Sequence, residues 1–205
     1  MLALTVAVAR SADAQSTAQR TARPITQREL ALRNGMRKLW EEHVTWTRLS
    51  IVSFAGDLPD LVSTERRLLQ NQVDIGNAVK PFYGQQAGHR LTQLLRRHIL
   101  LAVAILGDLK SGNSTALHRD LRLWYANADR IAIFLHTHNP RHWPLATLRR
   151  MMHRHLALTT REAVAELSGH YHASINAYDR VEDEILQMAD TLSRGIIAQF
   201  PRRFR

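Results

Sequence analysis

At 205 residues, the chain is long enough to bury one complete core without covalent staples. It has no cysteine, which excludes disulfides, iron–sulfur clusters, thiol catalysis and cysteine-ligated zinc; a metal site here must use His, Asp, Glu or Asn. The net charge of +10 is spread along the length, as in Arg66-Arg67, Arg96-Arg97, Arg149-Arg150 and Arg202-Arg203, with no nucleic-acid-binding signature, so it reads as a solvated surface and nucleic acid is not an expected partner.

Residues 1–24 read as an export signal and a polar lead-in. Leu2 to Ala9 (LALTVAVA) is a short apolar run, and Ala12-Asp13-Ala14 offers an Ala-x-Ala cleavage pattern, although no Lys or Arg precedes the run. The expectation is a periplasmic or secreted protein, or a cytoplasmic one if the run is not a signal. The run is too short to span a bilayer.

Residues 25–205 read as one helical domain. Helical periodicity predicts a helix over Thr26–Ala55, stopped by Gly56-Asp57-Leu58-Pro59, and a second from Asp60 to Val79, stopped by Lys80-Pro81-Phe82-Tyr83-Gly84. A third covers Gln86 to Lys110 and a fourth Ser114 to His136; a fifth spans Leu145–Leu167 and a sixth Tyr171–Gln199. Short loops make neighbouring helices antiparallel. The fold class is therefore all-α, an antiparallel bundle of about six helices arranged as three pseudo-repeated hairpins.

The repeat rests on alignable positions. Glu42-His43-Val44, Arg97-His98-Ile99 and Arg154-His155-Leu156 recur at intervals of 55 and 57 residues, each followed 13 or 14 residues later by Gly56, Gly112 or Gly169. The following helices align at Asp74, Asp129 and Asp190, each before a proline. Around each histidine, positions −4, −3, +1 and +3 lie at about −40°, +60°, +100° and −60° by helix geometry. All twelve such residues are apolar, so each imidazole sits in the middle of a buried stripe.

A buried imidazole needs a hydrogen-bond partner or a metal. The leading expectation is an exported helical-bundle binding protein with a buried cluster of His43, His98, His155, Asp74, Asp129 and Asp190, which are also the candidate ligands of a divalent transition metal if they converge near the pseudo-threefold axis. A second reading is a structural or interaction module whose His–Asp pairs only brace the hairpins. A third is an enzyme using one His–Asp pair as a general base, which needs a cleft; no catalytic residue is assigned. Asn71 and Asn77 flank Asp74 on its face and are candidate ligand contacts. The run Glu182-Asp183-Glu184 reads as a solvated helix face. His-Glu-x-x-His is absent, so a zinc peptidase has no support, and Leu39 and Trp40 stand where a di-iron bundle needs glutamate, which argues against a ferritin-like oxidase. Homo-oligomerisation stays open.

The segments LRNGMRKLWEEHVTWTR (32–48), NQVDIGNAVKPFYG (71–84), WYANADRIAIFL (124–135) and GIIAQFPRRF (195–204) occur together. With them, the chain from about Leu30 onward resembles a family of uncharacterised bacterial proteins, some labelled glycosyltransferase or acetylglutamate kinase. The resemblance implies an all-helical domain and brings no catalytic residues. Both labels describe activities that need α/β nucleotide-binding folds, and this sequence has no glycine-rich phosphate loop.

Overall fold

The computed structural model describes residues 24–205; the apolar run and the Ala-x-Ala pattern lie outside the described residues. Among the described residues every regular element is helical: α1 (Gln27–Ala55), α2 (Leu61–Ser111), α3 (Ser114–His138), α4 (Leu145–Leu167), α5 (Tyr171–Gln199) and a closing 3-10 turn, Pro201–Phe204. None of these helices is long and apolar enough to cross a membrane.

The helices number five rather than six, because the expected second and third join in α2. Pro81 lies inside that helix, and only Gly84, at φ 87°, leaves helical geometry. This left-handed value suits a residue without Cβ. A straight helix would hold Gly76 and Gly88 about 18 Å apart, yet a Cβ built on Gly88 would lie 2.6 Å from the Gly76 carbonyl oxygen. α2 therefore doubles back at Gly84, and its two arms touch along their glycines. The first arm runs on through Pro81 because Phe82 and Tyr83 pack into an aromatic group with Phe200, Phe204 and Trp143.

Each helix packs on the next, α5 returns to α1, and α1 and α2 also meet α4 across the middle. The result is a closed ring. Its start is a capping box: the Thr26 hydroxyl accepts from the Glu29 N–H, and the Glu29 carboxylate accepts from the Thr26 N–H. The same Thr26 hydroxyl donates to the Phe204 carbonyl at 2.8 Å, joining the two ends of the ring. The α3–α4 connection is pinned to α5 by Trp143, which is buried, donates its indole N–H to the Thr191 carbonyl at 3.3 Å, and lies against Gly195.

The main core includes Trp40, Ile75, Ile131, Leu156, Ile185 and Ile196. A separate small cluster, Ile51, Leu106 and Ala163, closes the interior at one end, and each member lies eight residues after one of the three histidines. The histidines are packed among these apolar residues.

Candidate functional site

His43 on α1, His98 on the second arm of α2 and His155 on α4 are 3%, 3% and 4% exposed. The apolar stripes of the helical wheel place them inward, and the crossing of α1, α2 and α4 brings them together. The His43 and His155 ring centroids are 5.7 Å apart, and those of His98 and His155 are 6.4 Å apart. Trp40 meets His43 edge-on at 5.8 Å, and Trp124 lies 5.2 Å from His98.

Each imidazole has a polar partner on the helical segment that follows. The Asn127 side chain donates its N–H to the Leu94 carbonyl at 3.2 Å, which leaves its oxygen to accept from His98 Nδ1–H at 3.0 Å. That bond fixes the His98 tautomer and leaves Nε2 with a free lone pair. The Gln72 amide nitrogen faces His43 Nδ1 at 3.2 Å, Leu68 O at 2.8 Å and Asn71 Oδ1 at 3.1 Å. Two protons thus serve three acceptors, while the Gln72 carbonyl oxygen finds no donor. His155 Nδ1 stands 3.3 Å from Glu184 Oε2, and neither oxygen of that buried carboxylate has a hydrogen-bond partner. Every partner lies 29 residues after its histidine.

The aspartates are elsewhere. Asp74 accepts from Gln70 and pairs with Arg67, Asp129 pairs with Arg149 and His153, and Asp190 holds Arg37 through two bonds of 2.8 Å. Asp74 and Asp129 lie two residues past Gln72 and Asn127, about 200° further round the helix, so they point away from the interior. Asn71 is buried but is spent on the Leu39 carbonyl and on Gln72, and Asn77 is exposed. Glu184, read from sequence as part of a solvated acidic face, is instead 3% exposed.

A second polar group adjoins the cluster. Arg48 pairs with Glu162 at 3.3 Å and Glu166 at 3.1 Å, and Ser174 donates to Glu166 at 2.6 Å. Burial pushes the Glu162 carboxyl up to about 7, against the opposing pull of Arg48. Burial also holds His43 well below the usual imidazole range, reinforced by His155 and His98. His98 is lowered to about 3 by burial and then by His155, although Asn127 acts the other way. Both rings are therefore neutral at pH 7, the form that ligates metals.

Imidazoles sharing one tetrahedral ion hold their ring centroids roughly 5 Å apart, from ordinary zinc–nitrogen lengths. The rings here stand somewhat wider. Among the described residues no group of three or more His, Asp or Glu side chains is placed to hold a metal ion. The three imidazoles are buried inside the helix ring. Comparison of the chain with protein-family models, curated proteins and solved structures finds no match.

Proposed function

We propose that the chain is a binding protein whose bundle core holds a divalent transition-metal ion on His43, His98, His155 and Glu184. The observation that carries this reading is the meeting of three buried imidazoles, from three separate helical segments, beside a buried carboxylate that stands 3.3 Å from His155 Nδ1 and forms no hydrogen bond. A buried carboxylate needs a positive partner. Neutral imidazoles with one carboxylate form a nitrogen-rich set suited to zinc, iron, nickel or copper. This reading also takes the three histidines and their partners as equivalent positions of one helical hairpin used three times, since the spacing of 29 residues recurs without exception. Export is part of the reading through the apolar run Leu2–Ala9.

Elemental analysis of the purified chain, before and after dialysis against Co2+ and Zn2+, tests it. About one equivalent is expected, with a cobalt absorption spectrum of nitrogen ligation that is lost in the His43→Ala/His98→Ala/His155→Ala variant and weakened in Glu184→Gln. No stoichiometric uptake by the folded wild-type chain overturns it. The second reading, a polar layer that only braces the helices, is favoured by the amide partners of His43 and His98. It requires a wild-type chain whose melting temperature is unmoved by any of these metals.

A further inference from the structure

The net charge of +10 is spread along the sequence but not around the ring. Residues 24–84 and 168–205, which form α1, the first arm of α2 and α5, carry thirteen Lys and Arg against twelve Asp and Glu. Residues 85–167, which form the second arm of α2, α3 and α4, carry twelve against five. Of those five acids, Glu162 and Glu166 are buried on Arg48, while Asp120 and Asp129 are held by Arg119 and Arg149. Arg90, Arg96, Arg97, Arg122 and Arg130 are exposed, and among the described residues none of them forms an ion pair.

These five arginines share one outer face. His98 and Asn127 are buried and join the second arm of α2 to α3. Thr92 adjoins Gly76, which turns that flank of the second arm toward the first. The opposite flank, with Arg90 and Arg97, therefore runs beside α3. On α3, Asp129 reaches Arg149 and His153 of α4, so the flank with Leu123 and Arg130 runs beside the second arm. Arg96 and Leu100 lie about 160° to either side of His98, and Arg122 and Ile133 about 140° and 120° from Asn127, so these four project outward. Leu100, Leu123 and Ile133 are exposed there, among the arginines. Leu100 and Leu123 stand nearly level, since they lie about 3 Å and 6 Å along antiparallel helices from the bonded pair His98 and Asn127. At one end of the face a cleft of about 740 Å3 opens between the two helices; its lining includes His89, Arg90, Phe134 and His138 and no acidic side chain.

We propose that the outer face of α3 and the second arm of α2 docks on a membrane surface rich in anionic phospholipid. Guanidinium groups without acidic partners attract the headgroup phosphates, and each can take one through two parallel hydrogen bonds. Leu100, Leu123 and Ile133, set between them, enter the apolar edge of the headgroup layer. That mixture favours a bilayer over nucleic acid, whose phosphate backbone would satisfy the arginines and leave the aliphatic side chains in water. The cleft beside Arg90 has room for one headgroup. The face is separate from the metal reading, because none of its residues belongs to the interior cluster.

Co-sedimentation of the full chain with vesicles tests it, using phosphatidylcholine alone and a 7:3 mixture with phosphatidylglycerol. Partitioning onto the anionic vesicles is expected to exceed that onto the neutral ones at least tenfold. Arg96→Glu/Arg97→Glu/Arg122→Glu should weaken it at least tenfold. Arg66→Glu/Arg180→Glu/Arg202→Glu, which changes the net charge equally but lies off this face, should weaken it less than threefold. Leu100→Ser/Leu123→Ser, at unchanged charge, should weaken it at least threefold. A DNA duplex added at equal phosphate concentration should leave the bound fraction unchanged. Equal partitioning onto both vesicles, equal loss in the two charge variants, an unaffected leucine variant, or displacement by the duplex overturns the proposal. If the glutamate variant of the face fails to fold, Arg96→Gln/Arg97→Gln/Arg122→Gln takes its place, against the same three glutamine changes at Arg66, Arg180 and Arg202.

Discussion

His98 shows how much one buried ring constrains. Its Nδ1–H is committed to Asn127, whose own N–H2 is committed to Leu94, so the orientation of both side chains follows from a single backbone carbonyl. Neutrality then has a consequence for stability. His98, lowered to about 3, and His43, lowered by the same burial, stay unprotonated in the fold at pH values where the unfolded imidazoles, near 6.5, take up protons. Their contribution is complete above pH 6.5 and is lost progressively as the pH falls. Glu162 acts in the opposite sense. Its carboxyl stands at about 7 in the fold against 4.5 in the unfolded chain, so its contribution is complete below pH 4.5 and is lost as the pH rises through 7. Between pH 4.5 and 6.5 the two histidines act against the one glutamate. Stability should therefore fall on acidification over that range. Glu162→Gln removes the opposing contribution and should steepen that fall. Urea denaturation at pH 6.5, 5.5 and 4.5 measures both, and a slope unchanged by the substitution counts against this account. The histidines themselves were legible in the sequence, because twelve apolar neighbours fix their direction without any tertiary information. Their partners were not. Aligning on Asp74, Asp129 and Asp190 follows charge, whereas the interior selects side chains two residues earlier or, at Glu184, on a different turn. The spacing of 29 residues is the signal that finds Gln72, Asn127 and Glu184 together, and it spans three residue types that do not resemble one another.

Most element boundaries were written locally. α4 and α5 run over the residues that their flanking Pro144 and Ser168-Gly169 and Pro201 delimit, and α1 starts at its Thr26 capping box. The exception is the Lys80-to-Gly84 segment. Its proline and glycine predict a stop after Val79, but packing of the partly buried Phe82 and Tyr83 against the C-terminal aromatics carries the helix to Gly84. That override depends on residues more than a hundred positions away and is invisible to any local window. Close approach is equally invisible. Gly195 lies near the C-terminal end of α5, four residues before Gln199, where alanine would ordinarily be the better helix former, yet a Cβ there would overlap the Trp143 indole. Trp143 is itself held through Thr191 and cannot withdraw freely. Gly195→Ala should therefore destabilise the protein, by about 1–3 kcal/mol as for an overpacked core. Thermal or urea unfolding decides the sign, and a stabilised variant would mean that the α3–α4 connection is not locked on α5.

At the scale of the molecule, a ring of helices has turned part of its polar chemistry inward. Arg48, Glu162 and Glu166 join the histidine cluster in a single interior, with apolar packing on either side along the helices. Burying such groups is costly unless they are paired or put to use, and the ring supplies partners from α1, α2, α4 and α5 at once. No single helix, and no pair of helices, completes that set. The closure that makes it possible is the hydrogen bond from Thr26 to Phe204, which lets the last turn of the described chain end beside the first. Topologically, the order in which the helices are threaded is then separable from the way they are packed. A circular permutant that links residue 205 to residue 24 with a short glycine–serine segment and opens at the exposed Gly112–Asn113 turn should fold to the same bundle, since the new join spans a gap the native chain already bridges. A melting temperature within a few degrees of the parent, with an unchanged pattern of tryptophan indole resonances, is the expected result. A chain that collapses without ordered resonances would mean that the ring must be threaded from α1.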